Sequence, residues 1–381
     1  MIERLQQEFP ELRISRDRPY RELTTLGVGG ALPVLAEPED PATLGRVLVF
    51  LKREKIPFFI LGGGSNLVGM DAPYPGVGLR LERAAFGTIR RDGEKLICGG
   101  RASLPEAAAT AAKAGLHGLS ALAGIPGSVG GAVRMNASCR GTAIGTLVDE
   151  VAGVTGDGTP WRARGAELKW EYRRGGVPAD VVITEVVLKL APGDVRTELD
   201  ALEAERAKRR ATEPAGRSAG CVFRNVSPEE PAGMLIDRCG LRGARIGGVE
   251  ISDRHANYLV NASGSATEAE FLAVAKLARR TVLERFGREL KPEVRFISRD
   301  SEAELLGGSV AAEPREANAL LVRVCRWMFR LTVALAAAEL VAVADGIRSV
   351  SVAAAAMLCA GAVLLVVSEV VFYGLKRLEK K

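Results

Sequence analysis

The chain is 381 residues long and carries a formal net charge of +6. That length exceeds one small core and predicts two or three domains. The modest positive charge suits an anionic small substrate or a membrane surface, and no basic stripe with interleaved aromatic residues favours a nucleic acid. Six cysteines are scattered without a C-x-x-C pair, no apolar signal opens the chain, and only two histidines are present. We therefore expect reduced thiols, a cytoplasmic setting and no bound metal.

Short strands alternate with helices in the predicted elements of the first half. After a short helix and an irregular lead over residues 1–20, a helix over residues 41–55 starts at Asp40, and another over residues 103–114 has Ser103 as its N-cap. Asp-Gly and Gly-Gly turns between strands favour a mixed α and β region with antiparallel pairing. The predicted strands cover residues 33–37, 57–61, 77–81, 88–90, 95–98, 148–154 and 181–190.

A smaller α and β unit is predicted after this region. A charged helix over residues 192–210 leads into a loop of small residues at 212–219, which we interpret as a domain boundary. A later helix begins at Thr267, with Glu270 at capping-box spacing. The remaining predicted elements are strands at 222–223 and 258–260 and that helix over 267–286.

Three glycine-rich stretches stand out, at residues 27–30, 61–67 and 122–136. Glycine removes side chains from the backbone, so that amide N–H groups can lie against a flat or anionic ligand such as a dinucleotide. No complete G-x-G-x-x-G occurs, so the usual nicotinamide-binding fingerprint is absent. Taken singly, each stretch is equally well explained as a tight turn packed against a strand.

Together, in order and spacing, the three stretches resemble the flavin-binding signatures of the UDP-N-acetylenolpyruvoylglucosamine reductase (MurB) family over about residues 23–297. The resemblance implies an α+β fold, with a two-lobed FAD-binding region of the vanillyl-alcohol-oxidase/PCMH type and a smaller α+β substrate-binding domain. It does not cover the last eighty or so residues, for which the apolar composition predicts an α-helical hydrophobic hairpin. The expected boundaries are 1–61 for FAD-binding lobe 1, 62–195 for FAD-binding lobe 2, 196–298 for the substrate-binding domain, 299–318 for a linker and 319–381 for a transmembrane hairpin.

The resemblance also implies a reaction. In this family FAD, reduced by NADPH, reduces UDP-N-acetylglucosamine enolpyruvate to UDP-N-acetylmuramate in peptidoglycan precursor synthesis. The chemistry requires a hydride source, a clamp for the substrate carboxylate and a proton donor. The implied partner is therefore a UDP-sugar and not a nucleic acid, while the oligomeric state stays open.

Three residues match positions that carry this chemistry in the family. Cys221, in the segment SAGCVFRN, stands where the family has a proton-donating serine, and a thiol with an ordinary pKa of about 8.5 is mostly protonated at neutral pH. Glu293, in LKPEVR, matches the glutamate that stabilises the enol intermediate. Arg173, in WEYRRG, matches an arginine whose planar fork pairs with the substrate carboxylate. The pattern's last serine is Gly175 here, and Gly27 stands where many relatives have arginine.

The same resemblance implies the binding residues. For His255, a structural hydrogen-bonding role is as good an explanation as a contact with the substrate. The implied FAD contacts are Gly62, Gly63, Gly64, Ser65, Asn66, Gly124, Pro126, Gly127, Ser128, Gly130, Gly131 and Asn136. The implied substrate contacts are Tyr172, Arg224, Asn225, Arg242 and His255.

The C-terminal segment differs in composition from the rest of the chain. Residues 327–344 are apolar but include Arg330 and Glu339, whereas residues 352–373 are almost uncharged and long enough to span a bilayer. Basic residues flank the pair of runs on both sides, which predicts that both ends stay in the cytoplasm. We therefore expect a cytoplasmic catalytic region anchored to the inner membrane. A pair of buried helices in a soluble domain is the alternative.

Two other functions are compatible with the pattern. One is a flavin-dependent sugar or alcohol oxidase of the same fold, which would produce peroxide without NADPH. The other is a non-catalytic, membrane-tethered protein that binds flavin or a UDP-sugar. The matching contexts of Arg173, Cys221 and Glu293 argue against the oxidase, whereas the departures at Gly27 and Gly175 keep the non-catalytic alternative open.

Overall fold

The computed structural model describes residues 2–307, which form three main sheets with helices packed against them. The predicted hairpin at 319–381 and most of the predicted linker lie outside the described residues. Within residues 2–307, no helix combines the length and the apolar character needed to cross a bilayer. The strands are β1 (Arg13–Pro19), β2 (Ala31–Glu37), β3 (Phe58–Ile60), β4 (Leu67–Val68), β5 (Val77–Leu79), β6 (Ile89–Asp92), β7 (Lys95–Gly99), β8 (Leu116–His117), β9 (Ser138–Cys139), β10 (Thr142–Ala143), β11 (Val148–Val154), β12 (Pro160–Arg164), β13 (Val182–Lys189), β14 (Ala191–Pro192), β15 (Arg217–Cys221), β16 (Arg245–Ile246), β17 (Val249–Ile251), β18 (Tyr258–Asn261) and β19 (Arg295–Phe296).

Helices connect and cover these sheets. Three 3-10 turns lie at Ser120–Leu122, Ile144–Thr146 and Gly165–Glu167. The α-helices of the described part are α1 (Ile2–Glu8), α2 (Tyr20–Leu23), α3 (Pro41–Arg53), α4 (Arg83–Phe86), α5 (Leu104–Lys113), α6 (Val129–Arg134), α7 (Val195–Thr212), α8 (Ala232–Arg238), α9 (Glu268–Phe286) and α10 (Arg299–Leu306).

The first sheet has the strand order β1-β2-β5-β3, in which β1 is antiparallel to β2 while β2, β5 and β3 run parallel. Helix α3 packs its apolar stripe on this sheet and begins as predicted. The Asp40 carboxylate accepts hydrogen bonds from the N–H groups of Ala42 and Thr43, and proline occupies the first turn. Parallel strands place their carboxyl ends at one edge, so the loops after β3 and β5 lie at the same edge of the sheet.

The second sheet is fully antiparallel, with the order β12-β11-β13-β7-β6. Its inner face packs on α5, α6 and the turn at Ser120–Leu122, in a core rich in alanine, valine and leucine. The Ser103 hydroxyl caps α5 by accepting from the N–H of Glu106. The predicted antiparallel arrangement of this region is confirmed. The sheet lies next to the first one because α3 also packs on β11.

The third sheet, β15-β18-β17-β16, is antiparallel and packs on α8 and α9. Helix α9 starts with the predicted capping box, in which Thr267 and Glu270 exchange hydrogen bonds with each other's backbone N–H. After α9 the chain returns to the glycine loop at residues 61–67, because β19 pairs in parallel with β4, which follows that loop. This return brings residues near the C-terminal end of the described part to the site.

Three differences from the sequence expectations have physical causes. Strand β1 lies where an irregular lead was expected, because its charged residues show no alternation and only its pairing with β2 makes it a strand. Strand β15 begins inside the predicted loop at 212–219, since the small residues there gain their strand geometry from β18. The predicted linker begins with α10, and Leu305 is buried against the core of the third sheet.

Candidate active site

Two of the glycine stretches meet face to face. The loop after β3 contains Gly62 and Gly63, and a Cβ atom added to Gly62 would lie 2.7 Å from the Ser128 Oγ. A Cβ on Gly63 would lie 2.5 Å from the Cα of Gly127. The Ser65 hydroxyl donates a hydrogen bond of 2.9 Å to the Pro126 carbonyl and so ties the two loops together. The absence of side chains lets the two backbones form one cradle.

The cradle includes a third segment from the N-terminal part of the chain. A Cβ on Gly64 would collide with the Leu23 carbonyl, and the N–H of Thr25 donates to the Gly64 carbonyl over 3.1 Å. Gly64 has a φ of +68° and Gly127 a φ of +117°, conformations that residues with side chains rarely adopt. Three distant segments therefore form one backbone surface.

The other glycines predicted to contact FAD in the stretch at residues 122–136 have clear structural partners. A Cβ on Gly124 would collide with the side chain of Arg209, and a Cβ on Gly130 would lie 2.8 Å from the Gly100 carbonyl. The N–H of Gly131 donates to the Ser128 Oγ over 3.2 Å, which caps α6. These glycines are explained by close packing within the protein, and their contact with a cofactor stays a prediction.

The three predicted catalytic residues lie together beside this cradle. Arg173 and Glu293 form an ion pair with 2.6 Å between Nε and Oε1, and both side chains are mostly buried. The N–H of Glu293 donates to the Val222 carbonyl over 2.7 Å, which places Glu293 next to the end of β15 that carries Cys221. The Asn66 amide donates to the Glu293 carbonyl over 3.3 Å. The cradle and the three residues therefore form one site.

The local backbone geometry sets the directions of the Cys221 and Arg173 side chains. Strand β15 is bulged between Ser218 and Cys221 against β18, and Gly220 within the bulge has a φ of +80°. Bulges change the direction of a side chain relative to a regular ladder. Arg173 itself has a φ of +59°, a costly conformation for a residue with a side chain, which surrounding contacts must hold.

Burial dominates the electrostatics of the site. It raises the pKa of the Cys221 thiol to about 12, with Glu293 adding to the rise and Arg173 opposing it. Burial also raises the pKa of Glu293, although Arg173 pulls in the other direction. The pKa of Arg173 lies above its ordinary value because Glu293 outweighs the effect of burial. The thiol therefore holds its proton at neutral pH, and the carboxyl group is more easily protonated than an exposed one.

Asn136 holds the loop that carries Arg173. Its Nδ2 donates to the Glu171 carbonyl over 2.9 Å, and its Oδ1 accepts from the N–H of Gly145 over 3.1 Å. Both polar ends of the amide are thus bonded within the protein, so a direct contact with a cofactor stays a prediction. Next to Arg173, Tyr172 is 52% exposed, and the Arg173 guanidinium lies 5.1 Å from the centroid of the Tyr172 ring.

The structure places the remaining predicted substrate residues around the third sheet. The buried Nε of Arg224 has no hydrogen-bond partner within the described part, and its backbone N–H donates to the Lys291 carbonyl beside Glu293. Arg242 is engaged by Asp237, with 2.5 Å between Nε and Oδ1. Of this set, Arg224 is the side chain with free donor capacity next to the catalytic residues.

The side chains of Asn225 and His255 each accept a hydrogen bond from the protein backbone. The Asn225 Oδ1 accepts from the N–H of Ala232 at the start of α8. Burial lowers the pKa of His255, and its Nδ1 accepts from the N–H of Asn257 over 3.2 Å, so the ring is neutral with the proton on Nε2. A contact of either residue with a substrate stays a prediction.

The two departures from the family pattern are explained by packing. A Cβ on Gly175 would collide with the Val133 carbonyl, so there is no room for the hydroxyl-bearing side chain of a serine. A Cβ on Gly27 would collide with the guanidinium of Arg217, which donates to the Arg21 carbonyl over 2.9 Å. The space beside Gly27 is therefore filled by an arginine from β15.

Sequence reasoning missed several residues of the site. Tyr258 lies opposite Cys221 in the β15–β18 ladder, and burial raises its pKa, with the neighbouring thiol adding to the rise. A groove of about 520 Å³ lies beside Gly124, between the end of α7 and the glycine stretch at residues 122–136. Ala123 and Gly124 of the groove lie in the glycine stretch at 122–136, whereas the groove residues of α7 and the loop after it carry no motif. The pairing of Tyr258 with Cys221 can be found only when the strand register is known. The groove is lined by Ala123, Gly124, Arg206, Arg209, Arg210, Glu213, Pro214 and Ala215.

Comparisons with known proteins agree with this arrangement. Residues 211–297 match the family model of the UDP-N-acetylenolpyruvoylglucosamine reductase C-terminal domain, and residues 32–164 match that of an FAD binding domain. The UDP-N-acetylenolpyruvoylglucosamine reductase of Anaeromyxobacter sp. (strain Fw109-5) is 41% identical over 298 residues, covering 77% of this chain and 92% of that protein. Its counterpart in Desulfosudis oleivorans is 39% identical, covering 75% and 95%.

A solved structure is also similar. The crystal structure of UDP-N-acetylenolpyruvylglucosamine reductase (MurB) from Thermus caldophilus matches with a TM-score of 0.65 and 34% sequence identity. The match covers 75% of this chain and 99% of that one.

Proposed function

The chain belongs to the UDP-N-acetylenolpyruvoylglucosamine reductase family, and on this basis we propose that it reduces the enolpyruvyl group of UDP-N-acetylglucosamine enolpyruvate to give UDP-N-acetylmuramate. The fold expected for the family, an α+β FAD-binding region followed by the family's C-terminal domain, is confirmed. The observation that carries the proposal is the convergence of Arg173, Glu293 and Cys221 beside a cradle of bare backbone.

The residues of the cradle fit FAD. An added Cβ at Gly62, Gly63 or Gly64 would collide with Ser128, Gly127 or Leu23, so these loops meet as bare backbone. Backbone without side chains is what the close approach of a dinucleotide requires. These glycines, with Ser65 and Gly127, would hold the cofactor. When bound, FAD supplies the chemistry of hydride transfer, with NADPH as the source of the electrons.

Arg173 is suited to bind the carboxylate of the enolpyruvyl group. Its guanidinium remains charged throughout and offers paired donors, which stabilise the negative charge that develops on this carboxylate. In the structure the guanidinium forms its ion pair with Glu293 and donates a hydrogen bond of 3.0 Å to the Ser138 hydroxyl. The substrate carboxylate therefore takes over donors that are already oriented.

Cys221 is suited to deliver the proton to the substrate carbon. Its Sγ holds a proton at neutral pH because burial raises the pKa of the thiol to about 12. Once the proton has left, the remaining thiolate is stabilised by Arg173 and Arg209, the two cations whose charges favour it. Glu293 is suited to hydrogen-bond the enol form of the substrate, since burial also favours its protonated form.

An absorption spectrum tests this function. Purified protein should show the flavin bands, NADPH should bleach them, and the enolpyruvyl UDP-sugar should restore them in the absence of oxygen. A folded protein that cannot take up FAD would contradict the function. Oxygen-dependent peroxide formation from a sugar or alcohol, without NADPH, would identify an oxidase instead.

The C-terminal part of the chain supports a separate proposal. Its sequence carries an almost uncharged run over residues 352–373 between basic flanks, and we propose that this part holds the catalytic region at the cytoplasmic face of the inner membrane. The proposal rests on sequence alone. The full-length chain should sediment with membranes and resist extraction by high salt, whereas a chain ending at Gly307 should stay in the supernatant. Equal recovery of both forms in the supernatant would overturn the proposal.

A further inference from the structure

Arg101 is a half-buried cation with no role in the chemistry above. Its Nε is buried and has no hydrogen-bond partner, and no carboxylate of residues 2–307 forms a salt bridge with it. A buried N–H group without a partner is costly, and so is a cation without a counter-charge. An anionic group supplied from outside the protein would remove both costs.

The cations around Arg101 are already paired. Arg80 and Arg83 lower the pKa of Arg101 after the larger effect of burial, while Glu37 acts in the opposite direction. The Nε of Arg80 is bonded to Oε1 of Glu37 over 2.8 Å, and Arg83 is bonded to Glu106 over 2.7 Å. Each neighbouring arginine therefore has its own carboxylate. Within residues 2–307 Arg101 forms no salt bridge, and the carboxylate that acts on it, Glu37, is already paired with Arg80.

Arg101 lies in a segment that is hydrogen-bonded to the glycine stretch at residues 122–136. The N–H of Gly130 donates to the Gly100 carbonyl over 3.0 Å, and the N–H of Val129 donates to the Ala102 carbonyl over 2.8 Å. These two bonds lie on either side of Arg101 along the chain. The backbone of Arg101 is thus part of the wall of the glycine cradle.

The two ends of the glycine loop at residues 61–67 lie next to different parts of the protein. Its Asn66 end is bonded to Glu293 in the catalytic group. Its other end follows β3, where the N–H of Leu61 donates to the Leu79 carbonyl, one residue before Arg80. A dinucleotide bound along this loop with its reactive ring near Glu293 would have its other half at the Arg80 end, where Arg101 would be available to it.

We propose that Arg101 binds the phosphate of the adenosine half of FAD. This inference rests on the proposed function and adds to it a residue outside the glycine stretches. Arginine is suited to this task because its fork donates two hydrogen bonds to phosphate oxygens and keeps its charge. The bound phosphate would give the buried Nε a partner and balance the charge of Arg101.

Flavin binding to the apoprotein tests the inference without any measurement of turnover. The dissociation constants of FAD and of riboflavin, which lacks both the phosphates and adenosine, are measured by flavin fluorescence for the wild type and for Arg101→Ala. Arg83→Ala is the matched control, because it removes the same charge from the same cluster at a side chain that is 66% exposed. Arg101→Lys tests whether charge alone suffices.

The expected result is selective. Arg101→Ala should weaken FAD binding by about tenfold or more, a change in the range of one hydrogen-bonded charge, while riboflavin binding stays within twofold. Arg101→Lys should lie between the wild type and alanine, and Arg83→Ala should change neither constant. Because riboflavin lacks both phosphates and the adenosine, the ratio of its constant to that of FAD isolates the diphosphate and adenosine part. FMN, which keeps the flavin-side phosphate, separates the two phosphates: its constant should also stay within twofold in Arg101→Ala, and a loss as large as that of FAD would assign Arg101 to the flavin-side phosphate and overturn the inference.

Two further results would overturn the inference. One is an unchanged FAD constant in Arg101→Ala, and the other is an equal loss of FAD and riboflavin, which would indicate a structural role for Arg101. If Arg101→Ala does not fold, Arg101→Gln, which keeps most of the side-chain volume, is measured in the same way. A folded wild type that binds no FAD would overturn the proposed function itself, which separates that failure from a failure of the inference.

Discussion

Arg173 and Glu293 are joined across the site by an ion pair with 2.6 Å between Nε and Oε1. The pair is mostly buried, and its geometry depends on the strained backbone of Arg173 and on the hydrogen bond from the N–H of Glu293 to the Val222 carbonyl. A substrate carboxylate must compete with Glu293 for the same guanidinium. The protonation of Glu293 therefore controls how readily Arg173 can be engaged.

The first prediction concerns the thiol of Cys221. Cys221→Ala should leave flavin reduction by NADPH within a fewfold of the wild type and slow the reduction of the enolpyruvyl substrate by about 10²- to 10⁴-fold, the usual contribution of a general acid. Cys221→Ser should retain activity because the hydroxyl can also donate a proton. Stopped-flow measurement of the two half-reactions separates the effects, and an equal loss in both would remove the acid role of Cys221.

The second prediction concerns the guanidinium of Arg173. Arg173→Gln should lower kcat/KM for the UDP-sugar by about 10- to 100-fold, because a charge-assisted hydrogen bond is lost. Arg173→Lys should be impaired as well, since lysine keeps the charge without the fork. Arg174→Gln is the control, because Arg174 is 76% exposed and should leave kcat/KM within twofold. Equal effects at both positions would indicate a general electrostatic effect.

The third prediction is a pH dependence that arises from Glu293. Burial raises the pKa of this carboxyl group above its ordinary value of 4.5 in the folded protein. A raised pKa means that the folded state binds the proton more tightly, so this contribution to stability is fully present below pH 4.5 and is lost as the pH rises through the folded pKa. Urea unfolding across this range should therefore show the wild type losing stability relative to Glu293→Gln. A difference independent of pH would contradict the raised pKa.

The fourth prediction compares two glycines with a positive φ. Gly93 has a φ of +59° and nothing within 4 Å of an added Cβ, whereas Gly64 has a φ of +68° and a Cβ there would collide with the Leu23 carbonyl. Gly93→Ala should lower the free energy of unfolding by about 1–2 kcal/mol, because alanine is strained in the left-handed conformation, and should leave FAD affinity unchanged. Gly64→Ala should cost more and weaken FAD binding. Similar unfolding free energies for the two variants would show that the loop at Gly64 can relax.

The fifth prediction distinguishes two roles of Asn136. Because its amide is bonded to the Glu171 carbonyl and to the N–H of Gly145, Asn136→Ala should release the loop that carries Arg173. We expect kcat/KM to fall by about tenfold, equivalent to one buried hydrogen bond, with FAD affinity unchanged. If FAD affinity falls and KM does not change, Asn136 contacts the cofactor directly.

Much of the local structure could be predicted from the sequence. The caps at Asp40, Ser103 and Thr267 were found because a helix start depends on hydrogen bonds within about four residues. The three glycine stretches were found because residues without side chains allow close backbone approach wherever they occur. The order and spacing of these stretches identified the family, which the comparisons then confirmed.

Only the tertiary structure decided how these segments work together. Strand β1 and the start of β15 depend on their partner strands, and no pattern within them specifies that pairing. Residues far apart in the chain meet in the ion pair of Arg173 with Glu293 and in the packing of Arg217 beside Gly27. Whether Arg101 finds a partner within residues 2–307 likewise depends on which segments surround it. Short-range hydrogen bonds and steric limits can be read from neighbouring residues, whereas burial and charge pairing depend on which distant segments meet.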